Sequence, residues 1–270
     1  MKKHEPPKGY LIDIEGVLVR DKRYQPIAGA VDWFTALRDS GRPFCLVSNN
    51  TTHRPDDLIG DLVAAGFPVT VDQLVGTLDL SRRWLQERGK KRLLWLGTAD
   101  LAEYWRQAGF ELVTNGPCEA VVLGVNQGLT VAELDQALPA LLDQGADLVC
   151  LHRNAFYLDG QGVRRLGPGA WAGALAAVGG TGRVITVGKP SQKIYNEALK
   201  RIGVAAGEAL FISDDPVNDL VTARQLGMTT AFVLSGKHSD HAVLGSLPEE
   251  DWPHIVCNSL GDLERPVPLA

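Results

Sequence analysis

The sequence predicts an α/β protein built on a parallel sheet, with a smaller α/β domain inserted into it. Three observations carry that expectation. Short, continuous apolar runs alternate with amphipathic stretches, each run stops at a glycine or a polar turn, and the whole alternation restarts in the middle of the chain. Strands that lack in-and-out alternation belong to sheets covered by helices on both faces.

In chain order, residues 10–14 form the first apolar run, which turns at Gly16. A helix is predicted over 30–39, closed by Gly41, and a second strand over 44–47 runs into Ser48-Asn49-Asn50. From Pro55 a helix presents Leu58, Ile59, Leu62 and Val63 and stops at Gly66. The last third repeats the pattern. Pro190 and Ser191 open a helix with Ile194, Ala198, Leu199 and Ile202 on one face, closed by Gly203. Strands at 209–212, 230–234 and 255–257 follow, with a helix at 221–226 between the first two. The middle reads as strand 93–96, helix 99–107, strand 120–123, helix 131–142 and strand 148–151. It has enough apolar surface for a core of its own. The expected division is therefore a core from 1–78 and 182–270 around an inserted domain at 79–181.

Composition narrows the function classes. The chain has 270 residues, 45% of them hydrophobic, which suits one large or two moderate cores. A net charge of -5 with both signs interleaved disfavours nucleic acid and anionic membranes as partners. Cys45, Cys118, Cys150 and Cys257 show no CxxC and no disulfide-like spacing, so a reducing cytoplasm is the expected home. No apolar stretch suggests a signal peptide or a membrane span.

Four polar features sit where strands end or helices begin, which is where open α/β sheets place ligands. They are Asp13-Ile-Glu15-Gly16, Ser48-Asn49-Asn50, Gly188-Lys189-Pro190, and Asp214-Asp215 with Asp219. Each alone is an ordinary cap or turn. Together, and with "LVSNNTT", "AVVLGVNQGLT", "RRLGPGAWAGAL", "VGKPSQKIY" and "DDPVNDL", they resemble the haloacid dehalogenase superfamily. The resemblance extends to its subgroup with a large α/β cap, the p-nitrophenyl phosphatase and nucleotide phosphatase-like proteins.

That resemblance implies a Rossmann-like core and a Mg²⁺-dependent phosphatase acting on a small phosphorylated metabolite. Asp13 would attack phosphorus and form an aspartyl-phosphate. Asp13, Asp214 and the backbone carbonyl of Glu15 would hold Mg²⁺, with Asp215 and Asp219 orienting them from behind. Ser48, Asn49 and Lys189 would bind the phosphoryl group, Lys189 by its charge. A homodimer is a possible assembly.

Glu15 departs from the family, whose phosphatases place Asp there as general acid/base. The carboxyl group survives but sits one methylene further out, so a catalytically weak or inactive phosphate-binding protein stays open as the alternative. Ser213 stands where the family usually has Gly, a small residue for a small residue. His152-Arg153-Asn154, after the last cap strand, is the candidate for substrate selection, with a solvated turn as the plain reading. The cluster Arg82, Arg83, Arg88, Lys90, Lys91 and Arg92 reads as a solvated surface or as a funnel for an anion.

Overall fold

The structure, a computed structural model, describes residues 6–20, 24–159, 161–179 and 184–268. The chain divides into two compact units. One comprises Met1–Ser48, Leu58–Val75 and Gln192–Ala270, and the other Asn49–Asp57 and Gly76–Ser191. The second joint expected from sequence, at 181–182, lies outside the described residues.

The first unit is organised by a six-stranded sheet. Its order is Ile255–Cys257, Thr229–Val233, Ala209–Ser213, Gly9–Ile12, Phe44–Ser48 and Leu74–Gly76. The pairings along the first five strands are parallel, and Ile12 lies opposite both Ile212 and Leu46. Every residue of Gly9–Ile12, Phe44–Ser48 and Ala209–Ser213 is buried, which is why these runs are apolar throughout. From Gly9–Ile12 the chain builds the sheet outward on one side, then returns to build the other side from Ala209–Ser213. The strand order therefore reverses between those two strands, and the crevice at their carboxyl ends is the sheet's natural ligand site.

Helices cover this sheet as their spacing predicts. Ala30–Asp39 buries Trp33, Phe34 and Leu37, and the Phe34 ring meets Phe44 and Phe67 edge-on at 5.0 and 5.6 Å. Gln192–Ile202 buries Ile194, Tyr195, Ala198 and Leu199, and Gly203 ends it at φ +67°. Pro55–Ala64 buries Leu58, Ile59 and Leu62 but leaves Val63 52% exposed. The apolar stripe is narrower than expected, since adjacent residues stand about 100° apart around a helix.

The second unit holds a five-stranded parallel sheet, ordered Ile185–Thr186, Asp147–Cys150, Ala120–Leu123, Arg92–Leu96 and Glu111–Val113. Two expected helices are broken. Residues 131–142 form Val131–Asp135 and Leu138–Asp143, because Pro139 has no N–H to continue the ladder and suits only a new first turn. Residues 99–107 start as a tight 3₁₀ turn, Ala99–Leu101, before Ala102–Gln107 becomes α-helical. The helix Pro168–Gly179 and the hairpin of Phe156–Leu158 with Arg164–Leu166 were not expected, whereas Thr77–Glu87 supplies the helix end expected at the basic cluster. No described helix is long and apolar enough to cross a membrane.

Candidate active site

Asp13 follows directly on the strand Gly9–Ile12, so the strand register carries it to the switch point, level with Ser213. It is 7% exposed, and its backbone N–H donates to Ile212 O at 2.9 Å. Its two carboxylate oxygens have different neighbours. Oδ1 accepts the Ile14 N–H at 2.9 Å, and Oδ2 lies 3.3 Å from the Ser213 hydroxyl. The chain then turns sharply, with Leu18 and Val19 both donating to Ile14 O and Gly16 donating to Val19 O. This turn carries half-buried Glu15 at the same sheet edge. Ser48, fully buried, ends the neighbouring strand on the other side of Asp13.

Asp214, Asp215 and Asp219 leave the end of Ala209–Ser213. They enter a wide π-helical turn, Pro216–Leu220, in which Leu220 N–H reaches back to Asp215 O at 3.3 Å. Such turns are rare and recur at functional sites. Asp215 caps this turn by accepting Asn218 N–H at 3.0 Å. Burial pushes its carboxyl up, but the Lys237 ammonium at 2.7 Å and the Asn218 donors outweigh burial and hold it below the ordinary range. Asp219 accepts from Ser213 Oγ at 2.6 Å, and its backbone carbonyl accepts from the Tyr195 hydroxyl at 2.9 Å. Burial, then the charges of Asp219, Asp13 and Asp215, push the Tyr195 phenol well up, so it stays a donor.

Asp214 sits directly against two glycines. Oδ2 accepts Lys237 N–H at 2.6 Å, and a Cβ on either Gly16 or Gly236 would fall 2.0 Å from that same oxygen. Gly16 also needs φ +82°, and Ser235 Oγ ties the Gly16 carbonyl at 2.7 Å. The sequence marks Ser235, Gly236 and Lys237 only as part of "VLSGKHS", a segment that shares the family resemblance, with no individual role expected of them. The available signal was the Ser-Gly-Lys turn directly after a strand on this sheet.

The donor set suits the implied metal. Asp13 and Asp214 offer carboxylate oxygens at adjacent strand ends, a backbone carbonyl can complete them, and hard oxygens are what Mg²⁺ selects. Among the described residues no three His, Cys, Asp or Glu side chains gather on one point, so this set depends on the Glu15 carbonyl and on water.

Asn49, Lys189 and the His152 triplet belong to the second unit. There Asn49 grips the Lys189 backbone twice: Nδ2 donates to Lys189 O at 3.0 Å, and Oδ1 accepts Lys189 N–H at 2.8 Å. Lys189 is 2% exposed. Gly188 allows the approach, since a Cβ there would lie within 2.5 Å of Asn49 Oδ1, Thr77 Oγ1 and Leu151 O. Thr51 Oγ1 accepts Val125 N–H at 3.0 Å, which ties the same 49–57 segment to its unit. Asn49 thus has a structural task beyond the one expected of it.

His152 is buried rather than solvated, whereas Arg153 is exposed and Asn154 half-buried. Gly167 and Gly169 back this loop so closely that a Cβ on either would come 2.2 Å from the Asn154 or Arg153 carbonyl, respectively. In the basic cluster, Arg82 and Arg83 meet Asp79, Lys90 meets Asp147, Arg92 meets Glu111, and Arg88 stacks 4.0 Å over Trp84. These local pairs spend the charge a funnel would need and support the solvated-surface reading.

Comparison with known proteins identifies relatives of the chain. Residues 10–111 match the haloacid dehalogenase-like hydrolase family, and residues 186–263 match a HAD-hydrolase-like family. The chain is 30% identical over 262 residues to haloacid dehalogenase-like hydrolase domain-containing protein 2 of Pongo abelii, covering 95% of this chain and 97% of that one. It is 27% identical over 233 residues to phospholysine phosphohistidine inorganic pyrophosphate phosphatase of Mus musculus, covering 85% and 84%. Among solved structures it is similar to p-nitrophenyl phosphatase from Archaeoglobus fulgidus, at 29% identity, a TM-score of 0.82, and 96% and 98% coverage. The acid-lined switch point and these matches over nearly the whole chain lead to one assignment: the chain belongs to the haloacid dehalogenase-like hydrolase family.

Proposed function

We propose that this protein is a phosphatase that hydrolyses a small phosphorylated metabolite, with Asp13 as nucleophile and Mg²⁺ as its cofactor. The observation that best supports the reading is the position of Asp13 at the switch point beside Ser213 and Asp214. The relatives named as phosphatases point to the same chemistry.

When bound, Mg²⁺ would screen the phosphate anion from the attacking carboxylate. An Asp13 oxygen attacks phosphorus, the bond from phosphorus to the leaving oxygen breaks, and protonated Glu15 gives that oxygen its proton. Glu15, now a carboxylate, takes a proton from water as the water oxygen attacks phosphorus. The bond to Asp13 breaks, phosphate leaves, and both carboxyl groups return to their starting states. Ser48, Asn49 and Lys189 hold phosphoryl oxygens, with Lys189 supplying fixed positive charge. Asp214 would hold the metal together with Asp13 and the Glu15 backbone carbonyl, while Asp215 and Asp219 keep the surrounding groups oriented. His152, Arg153 and Asn154 select the substrate.

The test is hydrolysis of p-nitrophenyl phosphate with Mg²⁺ by the wild type and by Asp13→Asn. The variant is expected to fold and to lose on the order of 10⁴-fold or more in kcat, as removal of a nucleophile does. Turnover by Asp13→Asn within about tenfold of wild type would end the assignment.

A further inference from the structure

In the sequence Ser213 is a mild departure, a small residue where the family usually has another small residue. It is fully buried at the end of its strand and level with Asp13. Its oxygen lies 2.6 Å from Asp219 Oδ2 and 3.3 Å from Asp13 Oδ2, and it accepts the Asp215 N–H at 3.2 Å. A hydroxyl has one proton to donate. That proton is shared as a three-centre bond, with Asp219 Oδ2 taking the larger part at 2.6 Å and Asp13 Oδ2 the smaller at 3.3 Å. Two carboxylates that would repel each other in a dry site are thus brought to one donor.

We infer that Ser213 is a positioning residue for the nucleophile. Its hydroxyl couples Asp13 to Asp219 and, with the Ile14 N–H on the other oxygen, restricts rotation of the attacking carboxylate. The inference rests on Asp13 being the nucleophile. Misplacing a reacting group by about 1 Å costs on the order of 10²-fold in rate, so a hydroxyl that never touches substrate can still govern turnover.

Ser213→Ala and Ser213→Gly separate positioning from packing. Alanine keeps the Cβ and removes the donor. Glycine also clears space for a water, and three polar partners already surround that point: Asp219, Asp13 and the Asp215 N–H. Each variant is assayed for kcat and KM on p-nitrophenyl phosphate, for Mg²⁺ affinity by calorimetry without substrate, and for thermal stability. Ser213→Ala is expected to lose about 10–10²-fold in kcat with KM nearly unchanged, and to bind Mg²⁺ about tenfold more weakly. Ser213→Gly is expected to lose less of both while melting at a lower temperature than Ser213→Ala.

A packing role gives the opposite ranking, with alanine equal or superior to glycine in kcat and Mg²⁺ affinity as well as in stability. That ranking overturns the inference, and so does a Ser213→Ala enzyme with unchanged kcat and Mg²⁺ affinity. Asp13→Asn, run alongside, distinguishes the two failures. If it is active, the nucleophile reading falls; if it is inert while Ser213→Ala is normal, only the role of Ser213 falls.

Discussion

At the switch point of the six-stranded sheet, Asp13 and Asp214 stand just past the ends of adjacent strands, and Gly16 and Gly236 lie directly against Asp214. The five-stranded sheet has its own switch point, between Arg92–Leu96 and Ala120–Leu123. There Gly97 and Gly124 occupy the strand ends, and the Trp95 ring lies over both, held by its Nε1 donating to Thr98 O at 2.8 Å. One parallel sheet leaves its crevice lined with carboxylates. The other fills the same topological position with an indole. A parallel sheet supplies a place for a ligand, and the residues just past its strand ends decide whether one is admitted.

Adding one methyl group at each switch point tests this contrast. Gly16→Ala would put a Cβ 2.0 Å from Asp214 Oδ2 on a backbone held at φ +82°. Moving that carboxylate by about 1 Å should cost on the order of 10²-fold or more in kcat. Gly97→Ala would put its Cβ 1.9 Å from the Trp95 ring, which must then give way. Overpacking of this kind costs about 1–3 kcal/mol and lowers the melting temperature, while kcat per folded molecule holds. If kcat falls as far in Gly97→Ala as in Gly16→Ala, the two crevices are not chemically distinct and the comparison breaks.

The sequence made the strands and their ends legible because both are local. A run such as Tyr10, Leu11, Ile12 needs only its neighbours to be read as a buried strand, and an Asp directly after it is visible at once. The Ala30–Asp39 helix was read to the residue because its apolar spacing is unambiguous. Pro168–Gly179 was missed because it mixes Gly and Ala with few polar residues and offers no polar face to detect. The function of Ser213 was illegible for a different reason. It depends on Ile12 pairing with Ile212, a register between segments 200 residues apart, and no local pattern reports that. Lys237 is similar: its contacts with Asp214 and Asp215 close across 23 and 22 residues, respectively.

The smallest effect compares the interiors rather than the crevices. Cys45 lies in the first sheet and Cys150 in the second; both are fully buried, and burial pushes each thiol up to about 12. A raised thiol pKa leaves the reactive thiolate scarce until the pH approaches it, about one molecule in 10⁴ at pH 8. Labelling of the native protein, resolved by site with mass spectrometry, should therefore be slow at both cysteines and should speed up about tenfold per pH unit from 7 to 9. Half-buried Cys257, pushed up only to about 11, should label before either of them. Equal protection of Cys45 and Cys150 means that the crevice lined with acids is as firmly backed as the one filled by Trp95. Faster labelling at Cys45 alone would mean that the acid-lined crevice is backed by a looser sheet, through local opening that the second sheet avoids.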